Sequence, residues 1–473
     1  MNDTLPKGWI SDKLTKIIYS VKTGVPEFKG RKDYYSTGSV QNGNFISEGS
    51  YNFNDKPSRA NRVAMLNDVF QARMKGTDKG FIIDNELNGQ LFSTGFLQFR
   101  PYRLTYEPKL IYYFIISPSF LNQRDDLATG STQEALTDTK AVEITIPLPP
   151  LNEQKRIVSK LDAIIPRIEA VKQRLEKVPN ILKLFRQSVL TAAVTGKLTE
   201  KWREEHPEMR NTEVLSDKSI KLINKSKYIK EWGNFEVPYT WLCAYLGEVA
   251  DLRLGKMLDG SKNKGEKIKY LRNVNVRWFK FNLSDLKEIK ITKTEKEILS
   301  IKNGDIFICE GGEPGRAAVW KNGENSMTFQ KALHRVRFRI PFESDFLVYN
   351  LKVDAYTQKL NRLFTGSTIK HLTGRSLALY PITFPPLEEQ KEIVKQVEKL
   401  FAWADKVEAH YQKAKEQVDK LTQSVLAKAF RGELVPQDPN DEPAEKLLER
   451  ILKEKAKMEM DLKAMKKKVR KKL

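Results

Sequence analysis

PLPPLNEQKRIV, residues Pro147–Val158, and PPLEEQKEIV, residues Pro385–Val394, are one phrase written twice in a chain of 473 residues. Leu151-Asn152-Glu153-Gln154-Lys155-Arg156-Ile157-Val158 aligns with Leu387-Glu388-Glu389-Gln390-Lys391-Glu392-Ile393-Val394 at an offset of 236 residues. The same offset pairs Gln187-Ser188-Val189-Leu190 with Gln423-Ser424-Val425-Leu426, Gly196-Lys197-Leu198 with Gly432-Glu433-Leu434, and Gly130-Ser131-Thr132 with Gly366-Ser367-Thr368. Several matches on one ungapped offset are not chance similarity between lysine-rich helices. A period of half the chain also excludes a short-repeat solenoid.

The phrase reads as an extended entry followed by a helix start. Pro147, Pro149 and Pro150 favour extended backbone, and Asn152 is placed to cap the helix that follows. Beyond it, apolar residues recur at alternating steps of four and three: Ile157, Leu161, Ile164, Ile168, Val171, Leu175, Val178, Leu182, Phe185 and Val189. The second copy runs Ile393, Val397, Leu400, Ala404, Val407, Tyr411, Ala414, Val418, Leu421 and Val425. This is a heptad seam, and each helix spans ~35–40 residues, or roughly 55 Å. Pro166 and Pro179 require the first helix to bend or to form two pieces, and the second copy, lacking them, is expected to be straighter. Two copies of one stripe favour a mutual pair over two helices lying separately on globular cores.

The stretches between have another texture. Short apolar runs such as Val69-Phe70-Gln71-Ala72 and Asp305-Ile306-Phe307-Ile308-Cys309, punctuated by Gly and Asn, read as strands and loops. Lys109–Ile116 fits a buried helix or a strand equally. The two stretches echo each other where they begin, Pro6-Lys7-Gly8-Trp9 against Pro238-Tyr239-Thr240-Trp241, and again at Asn67-Asp68-Val69-Phe70 against Gly304-Asp305-Ile306-Phe307. The plan is therefore a globule over 1–146, a long helix over 147–198, a charged linker over 199–234, a second globule over 235–384, a second long helix over 385–436, and a basic helical tail over 437–473. The fold class expected is α+β: two similar mixed globules separated by two long coiled-coil helices, with an internal pseudo-two-fold repeat.

Composition narrows the partners. Lys and Arg number 82 against 60 acidic residues, a formal net charge of +22. Such an excess suits a polyanion, with nucleic acid ahead of an anionic membrane face. No apolar run reaches the ~18 residues of a membrane span, and the N-terminus does not read as a signal peptide, so a cytoplasmic location is expected. Two cysteines and four histidines form no metal-ligand spacing. No GK[ST] phosphate loop, GxGxxG, methyltransferase Asn-Pro-Pro-aromatic signature or nuclease pattern occurs, so no catalytic role, metal or cofactor is expected of this chain. Gly311-Gly312-Glu313-Pro314-Gly315-Arg316 fits three readings: a surface turn between strands, a phosphate cradle, or a DNA-facing loop carrying Arg316.

The PPLxEQKxIV phrase after a globule, the QSVL segment, Phe430-Arg431-Gly432-Glu433-Leu434-Val435-Pro436-Gln437 and Glu442-Pro443-Ala444 ahead of Leu447 and Leu448 together resemble the specificity subunit of type I restriction–modification enzymes. The likeness covers nearly the whole chain except a tail from about Lys453. It implies two target-recognition domains, each reading half of a split, asymmetric DNA site, held apart by two antiparallel helices. It also implies two methyltransferase subunits, which bring S-adenosylmethionine for adenine N6 methylation, and restriction–translocase subunits that use ATP and magnesium. The two prolines in the first helix depart from that pattern.

Reading a duplex takes a few Arg, Lys, Asn or Gln side chains at base edges with phosphate contacts beside them. Candidates in the first globule are Arg59, Arg62, Gln71, Arg73 and Lys75, around the predicted strand Val69–Ala72. In the second they are Arg272, Asn273, Asn275, Arg277, Arg316, Lys370 and His371. Ser131, Thr132, Ser367 and Thr368 of the Gly-Ser-Thr triplets are placed either to bind phosphate or to form turns and caps. A stiff helical spacer would fix the number of unread base pairs, about 6–8 at ~3.4 Å each. The rival reading is an architectural scaffold whose globules bind other proteins.

Overall fold

A computed structural model describes residues 5–41, 43–102, 106–130, 133–211, 219–233, 236–259, 263–323 and 327–470, with backbone alone at 459 and 461–470. The chain divides into two compact units, Met1–Glu176 with Gln412–Leu473, and Lys177–Tyr411.

The first unit holds two four-stranded sheets. One has the order Tyr19–Ser20, Phe96–Arg100, Val69–Ala72, Gly80–Ile82; the other has Gly49–Tyr51, Lys32–Tyr35, Leu91–Ser93, Ala60–Val63. Phe70, Phe81, Phe92 and Phe96 interlock in the core, with the Phe70 and Phe81 rings stacked 5.3 Å apart. The ambiguous segment is a helix, Pro108–Ile115, opened by its proline and buried at Leu110, Ile111, Tyr113, Phe114 and Ile115. The second unit repeats the first sheet's order with Ala250–Leu254, Leu333–Phe338, Ile306–Cys309 and Ala317–Val319. A second sheet has three strands among the described residues, Lys287–Ile291, Glu266–Leu271 and Thr328–Phe329. In both units an antiparallel pair joins the globule's first strand to the strand that leads into a long helix: Ile10–Lys13 with Thr145–Leu148, and Leu242–Tyr245 with Pro381–Phe384.

The repeated echo at Asp68 and Asp305 has a physical cause. Asn67 (φ 67°) and Gly304 (φ 85°) take left-handed backbone at a tight turn. The buried aspartate that follows accepts the N–H three residues back, Met65 at 2.9 Å and Lys302 at 2.7 Å. Each aspartate also receives a two-pronged arginine, Arg100 at 2.6 and 2.7 Å and Arg337 at the same distances.

The long helices form as the seam predicts. The first comes in two pieces, Leu151–Leu175 and Val178–Val194, while the second is one helix of 44 residues, Leu387–Phe430. Pro179 lacks the N–H that would bond back into the preceding turn and sits instead in the first turn of a new helix. Pro166 is exposed and tolerated within its helix. In the first unit Ile157, Val158 and Leu161 share a core with Leu426, Ala429 and Phe430. In the second, Val189, Leu190, Ala193 and Val194 share one with Ile393 and Val397, and Phe185 meets Trp403 edge-on at 5.4 Å. Arg186 reaches Asp405 and Glu408 at 2.7 and 2.8 Å, so that pairing runs antiparallel. Of the other expected seam positions, Ile168 and Leu182 are buried, Leu175, Leu400, Val407, Val418 and Val425 are half-buried, and Leu421 is 44% exposed. A two-helix contact covers only a narrow stripe.

The phrase itself is an anchor. Asn152 does not cap the helix as expected. Helix begins at Leu151 directly after Pro150, which leaves Asn152 exposed within the first turn. The next two residues carry the contacts. Glu153 accepts the indole N–H of Trp9 at 2.8 Å, and Glu389 accepts that of Trp241 at 2.9 Å. Gln154 donates to the carbonyl of Pro149 and accepts from the N–H of Glu107; Gln390 does the same with Pro385 and Glu343. The repeated glycines close the other side. Gly196 and Gly432 both have φ 75°, and a Cβ on them would fall 2.6 and 2.3 Å from Pro238 and Pro6. Burial pushes the Glu153 carboxyl above its ordinary range.

The two anchors differ in charge. Gln437 bridges Glu153 (3.2 Å) to the carbonyl of Gly432, whereas Arg203 bridges Glu389 (2.5 Å) to that of Gly196. Glu389→Ala would strand a guanidinium only 13% exposed, so it should cost about 3–5 kcal/mol. Glu153→Ala orphans neutral donors and should cost about 1–3 kcal/mol. Urea unfolding of the two variants measures both, and equal losses would refute the distinction.

Candidate nucleic-acid interface

In each globule one hairpin loop stands at equivalent places. Residues 73–79 join Val69–Ala72 to Gly80–Ile82, and residues 310–316 join Ile306–Cys309 to Ala317–Val319. The segment after each Gly-Ser-Thr triplet clamps the loop: Leu136 N–H donates to Arg73 O at 2.9 Å, and Leu372 N–H to Glu310 O at 2.8 Å. Thr129 pairs with Ala135 and Thr365 with His371 as isolated bridges. Between them Gly130 (φ 139°) and Gly366 (φ 91°) turn the chain, and a Cβ there would lie 2.4 Å from Gln133 O and 2.2 Å from Ile369 O. Gly366 therefore opens a glycine-dependent turn in the second triplet, and Gly130 takes the same left-handed backbone at the start of the first. Ser131 and Thr132 lie outside the described residues, and Ser367 and Thr368 are exposed.

The second globule gathers much of its candidate set around residues 310–316, which form the strand-to-strand turn. Arg316 reaches Glu313 and the carbonyl of Asn273, each at 2.8 Å. A Cβ on Gly312 would lie 3.2 Å from the Asn273 amide nitrogen, and one on Gly311 3.3 Å from His371 Nδ1. Arg277 is exposed on the short hairpin of Val276–Arg277 with Lys280–Phe281, and Lys370 is exposed beside His371. Arg272 is held by Asp285 at 2.5 Å. Asn275 is buried, and its amide is spent internally: it accepts from Arg272 N–H and donates to the carbonyls of Asn282 and Asp285.

The first globule is more divided. Arg59 is exposed. Lys75 is half-exposed and pairs with Glu134 at 2.5 Å. Arg73 is mostly buried and pairs with Asp138 at 2.6 Å. Gln71 and Arg62 are buried in the sheets. Burial, reinforced by the neighbouring Arg73, lowers the Arg62 pKa to about 10, which still leaves it charged at neutral pH.

Sequence reasoning passed over Trp278 and Lys352. Trp278 donates to Glu313 at 2.7 Å and lies under the Lys352 ammonium, 4.4 Å from its ring centre, beside the same loop. An aromatic next to Arg277 on a polar hairpin was the available signal. Among the described residues no cluster of three or more His, Cys, Asp or Glu side chains could hold a metal ion, and no helix is long and apolar enough to cross a membrane.

A family model described as the type I restriction modification DNA specificity domain matches residues 15–180 and again 238–416. The chain is 31% identical over 372 residues to the type I restriction enzyme EcoKI specificity subunit of Escherichia coli K12, covering 76% of this chain and 74% of that one. It is 31% identical over 365 residues to the StySPI specificity subunit of Salmonella potsdam, covering 74% and 72%. Among solved structures, the HsdS subunit of Thermoanaerobacter tengcongensis superposes with a TM-score of 0.61 at 23% identity, over 91% of this chain and 98% of that one. A chain from a study of complex assembly and conformational transition of the type I R-M system gives 0.67 at 21% identity, over 91% and 100%. Both structural likenesses concern the fold.

The placement of Asn275 makes a prediction. Asn275→Ala removes three internal hydrogen bonds and should destabilise the second globule by about 1–3 kcal/mol. Thermal unfolding checks it, and a variant of unchanged stability would refute the internal role.

Proposed function

Because the chain belongs to the type I restriction–modification DNA specificity family, we propose that it reads a bipartite, asymmetric duplex site, one half with each globule. One observation carries this reading. The two globules share their anchor, their aspartate–arginine turn and their loop clamp, yet the clamped loops differ completely, Arg-Met-Lys-Gly-Thr-Asp-Lys at 73–79 and Glu-Gly-Gly-Glu-Pro-Gly-Arg at 310–316. Like frames carrying unlike loops suit unlike half-sites.

Arg59, Lys75 and Arg73 in the first globule, and Asn273, Arg277, Arg316, Lys370 and His371 in the second, are the side chains we assign to DNA, with Ser131, Thr132, Ser367 and Thr368 near phosphate. Gln71, Asn275 and Arg272 hold the loops and strands that present them, and Arg62 stands behind Arg73. The paired helices act as the spacer and scaffold. Their duplicated ends would dock two copies of one methyltransferase subunit, since a repeated partner site needs repeated geometry. Restriction–translocase subunits would join that complex in the cytoplasm. S-adenosylmethionine, ATP and magnesium would belong to those partners, and this chain would contribute recognition alone.

Co-expression with a cognate methyltransferase subunit, followed by genome-wide mapping of methylated adenines, tests the reading. Arg59→Ala should relax one half-site and Arg277→Ala the other, each at about 1–3 kcal/mol for a lost base contact. Loss of both half-sites together in either variant would contradict the division. Four residues inserted at Lys172, about one helical turn, should change the length of the unread gap and leave both half-sites intact. An unchanged gap would remove the spacer role.

A further inference from the structure

In the first globule two guanidinium groups converge on one carboxylate. Arg73 Nη2 lies 2.6 Å from Asp138 Oδ1, and Arg62 Nη2 lies 3.7 Å from the same oxygen. The arginines do not depend on that carboxylate for their position. Arg62 donates to the carbonyl of Val21 at 2.8 Å, and Arg73 to those of Phe96 and Leu136 at 3.1 and 3.4 Å. The Arg62 side chain is fully buried, and its Nε and Nη2 have no hydrogen-bond partner. The Asp138 side chain is 49% exposed, on the stretch that follows the loop clamp at Leu136. Two positive charges with backbone partners of their own thus face one half-exposed negative charge, and buried N–H groups on the inner arginine go unused. A cradle in this state is unsaturated for anion, because buried donors are rarely left unpaired and guanidinium forks match phosphate oxygens.

We propose that Arg73 and Arg62 form a phosphodiester site in which Asp138 stands in for DNA until the duplex arrives. Two non-bridging oxygens on one negative charge fit a two-guanidinium cradle better than a single carboxylate oxygen does. The backbone phosphate takes the place of Asp138 on Arg73, and the Asp138 carboxylate swings into solvent. Arg62, behind Arg73, supplies the second charge without touching a base. The site therefore adds affinity without sequence preference, and Asp138 sets how tightly non-cognate DNA is held. The equivalent positions of the second globule are built differently: the residue clamped where Arg73 stands is Glu310, and Gly374 occupies the place of Asp138 at the repeat offset. This inference rests on the DNA-reading role proposed above.

Asp138→Asn tests it in the full chain. In the wild type, a phosphate gained releases counterions while the freed Asp138 recruits a cation, so the two partly cancel. In Asp138→Asn only the release remains. Binding to cognate and scrambled duplexes should therefore strengthen severalfold, and the slope of log K against log salt should steepen by up to about 0.9. Adding Arg73→Gln should abolish the gain. Inorganic phosphate should raise the melting temperature of Asp138→Asn more than that of the wild type, a readout that needs no DNA. An unchanged slope, a gain that survives Arg73→Gln, or equal phosphate shifts would overturn the cradle. Failure of the wild type to prefer its bipartite site over scrambled duplex would instead sink the DNA-reading role, and the phosphate shift would still judge the cradle.

Discussion

Everything in each half of the chain is built around a buried carboxylate three residues into a helix. Glu153 and Glu389 each hold the indole of the tryptophan that opens a globule, and each takes a second donor from the segment that follows a long helix. A buried carboxylate is a poor source of net stability, since desolvation offsets much of its attraction. It is a strict geometric constraint, because any arrangement that misplaces a donor leaves a buried polar group unsatisfied. The glutamine beside it extends the constraint to the incoming backbone on both sides. That is why a short phrase recurs with so little change in an otherwise diverged chain.

The paired helices and the duplication were legible because they rest on spacing, which a sequence states directly. The interruption at Pro179 was legible for the same reason. The cap was not. Asn152 is a good capping residue by type, but the extended entry ends at Pro150, and helix can start at once when the preceding residue has no N–H to place. Lys109–Ile116 stayed ambiguous because the segment is buried on nearly every side, which erases the periodicity that separates helix from strand. The Asp68–Arg100 and Asp305–Arg337 pairs were readable in principle. Both are 32 residues apart, and both begin at the one echo found inside the globules.

Candidate DNA contacts were legible as neighbourhoods more than as residues. Residue type marks what can bond to a base but not which way it faces. Gln71 lies on a strand buried at all four positions, Val69–Ala72, so no alternation exposes it. Asn275 sits in a short turn whose carbonyls consume its amide. By contrast Asn273, Arg316 and His371 lie far apart in sequence and meet around one loop: the bridge from Thr365 and the clamp at Leu372 bring His371 there, and Arg316 ties the loop to the carbonyl of Asn273.

The division between what repeats and what varies follows from burial. Trp9, Glu153, Gln154, Asp68 and their counterparts are enclosed, each with partners that would be orphaned by substitution. Beyond strand pairing and the clamp, the loops at 73–79 and 310–316 are held by contacts that differ between the halves: Lys75 N–H donates to Glu134 O and Gly76 N–H to Asp125 in one, and Arg316 donates to the carbonyl of Asn273 in the other. None of these contacts involves the anchor residues, so one globule can carry Lys75 against Glu134 and the other Trp278 against Glu313 without disturbing the frame. The same logic reaches the sheets: one globule completes its second sheet with four strands and the other, among the described residues, with three. The anchor tolerates that difference because Trp9 and Pro149, and Trp241 and Pro385, directly adjoin the strand pairs Ile10–Lys13 with Thr145–Leu148 and Leu242–Tyr245 with Pro381–Phe384 rather than that sheet. Those pairs keep the same antiparallel form in both halves, so a recognition surface can be rebuilt without changing how it is attached.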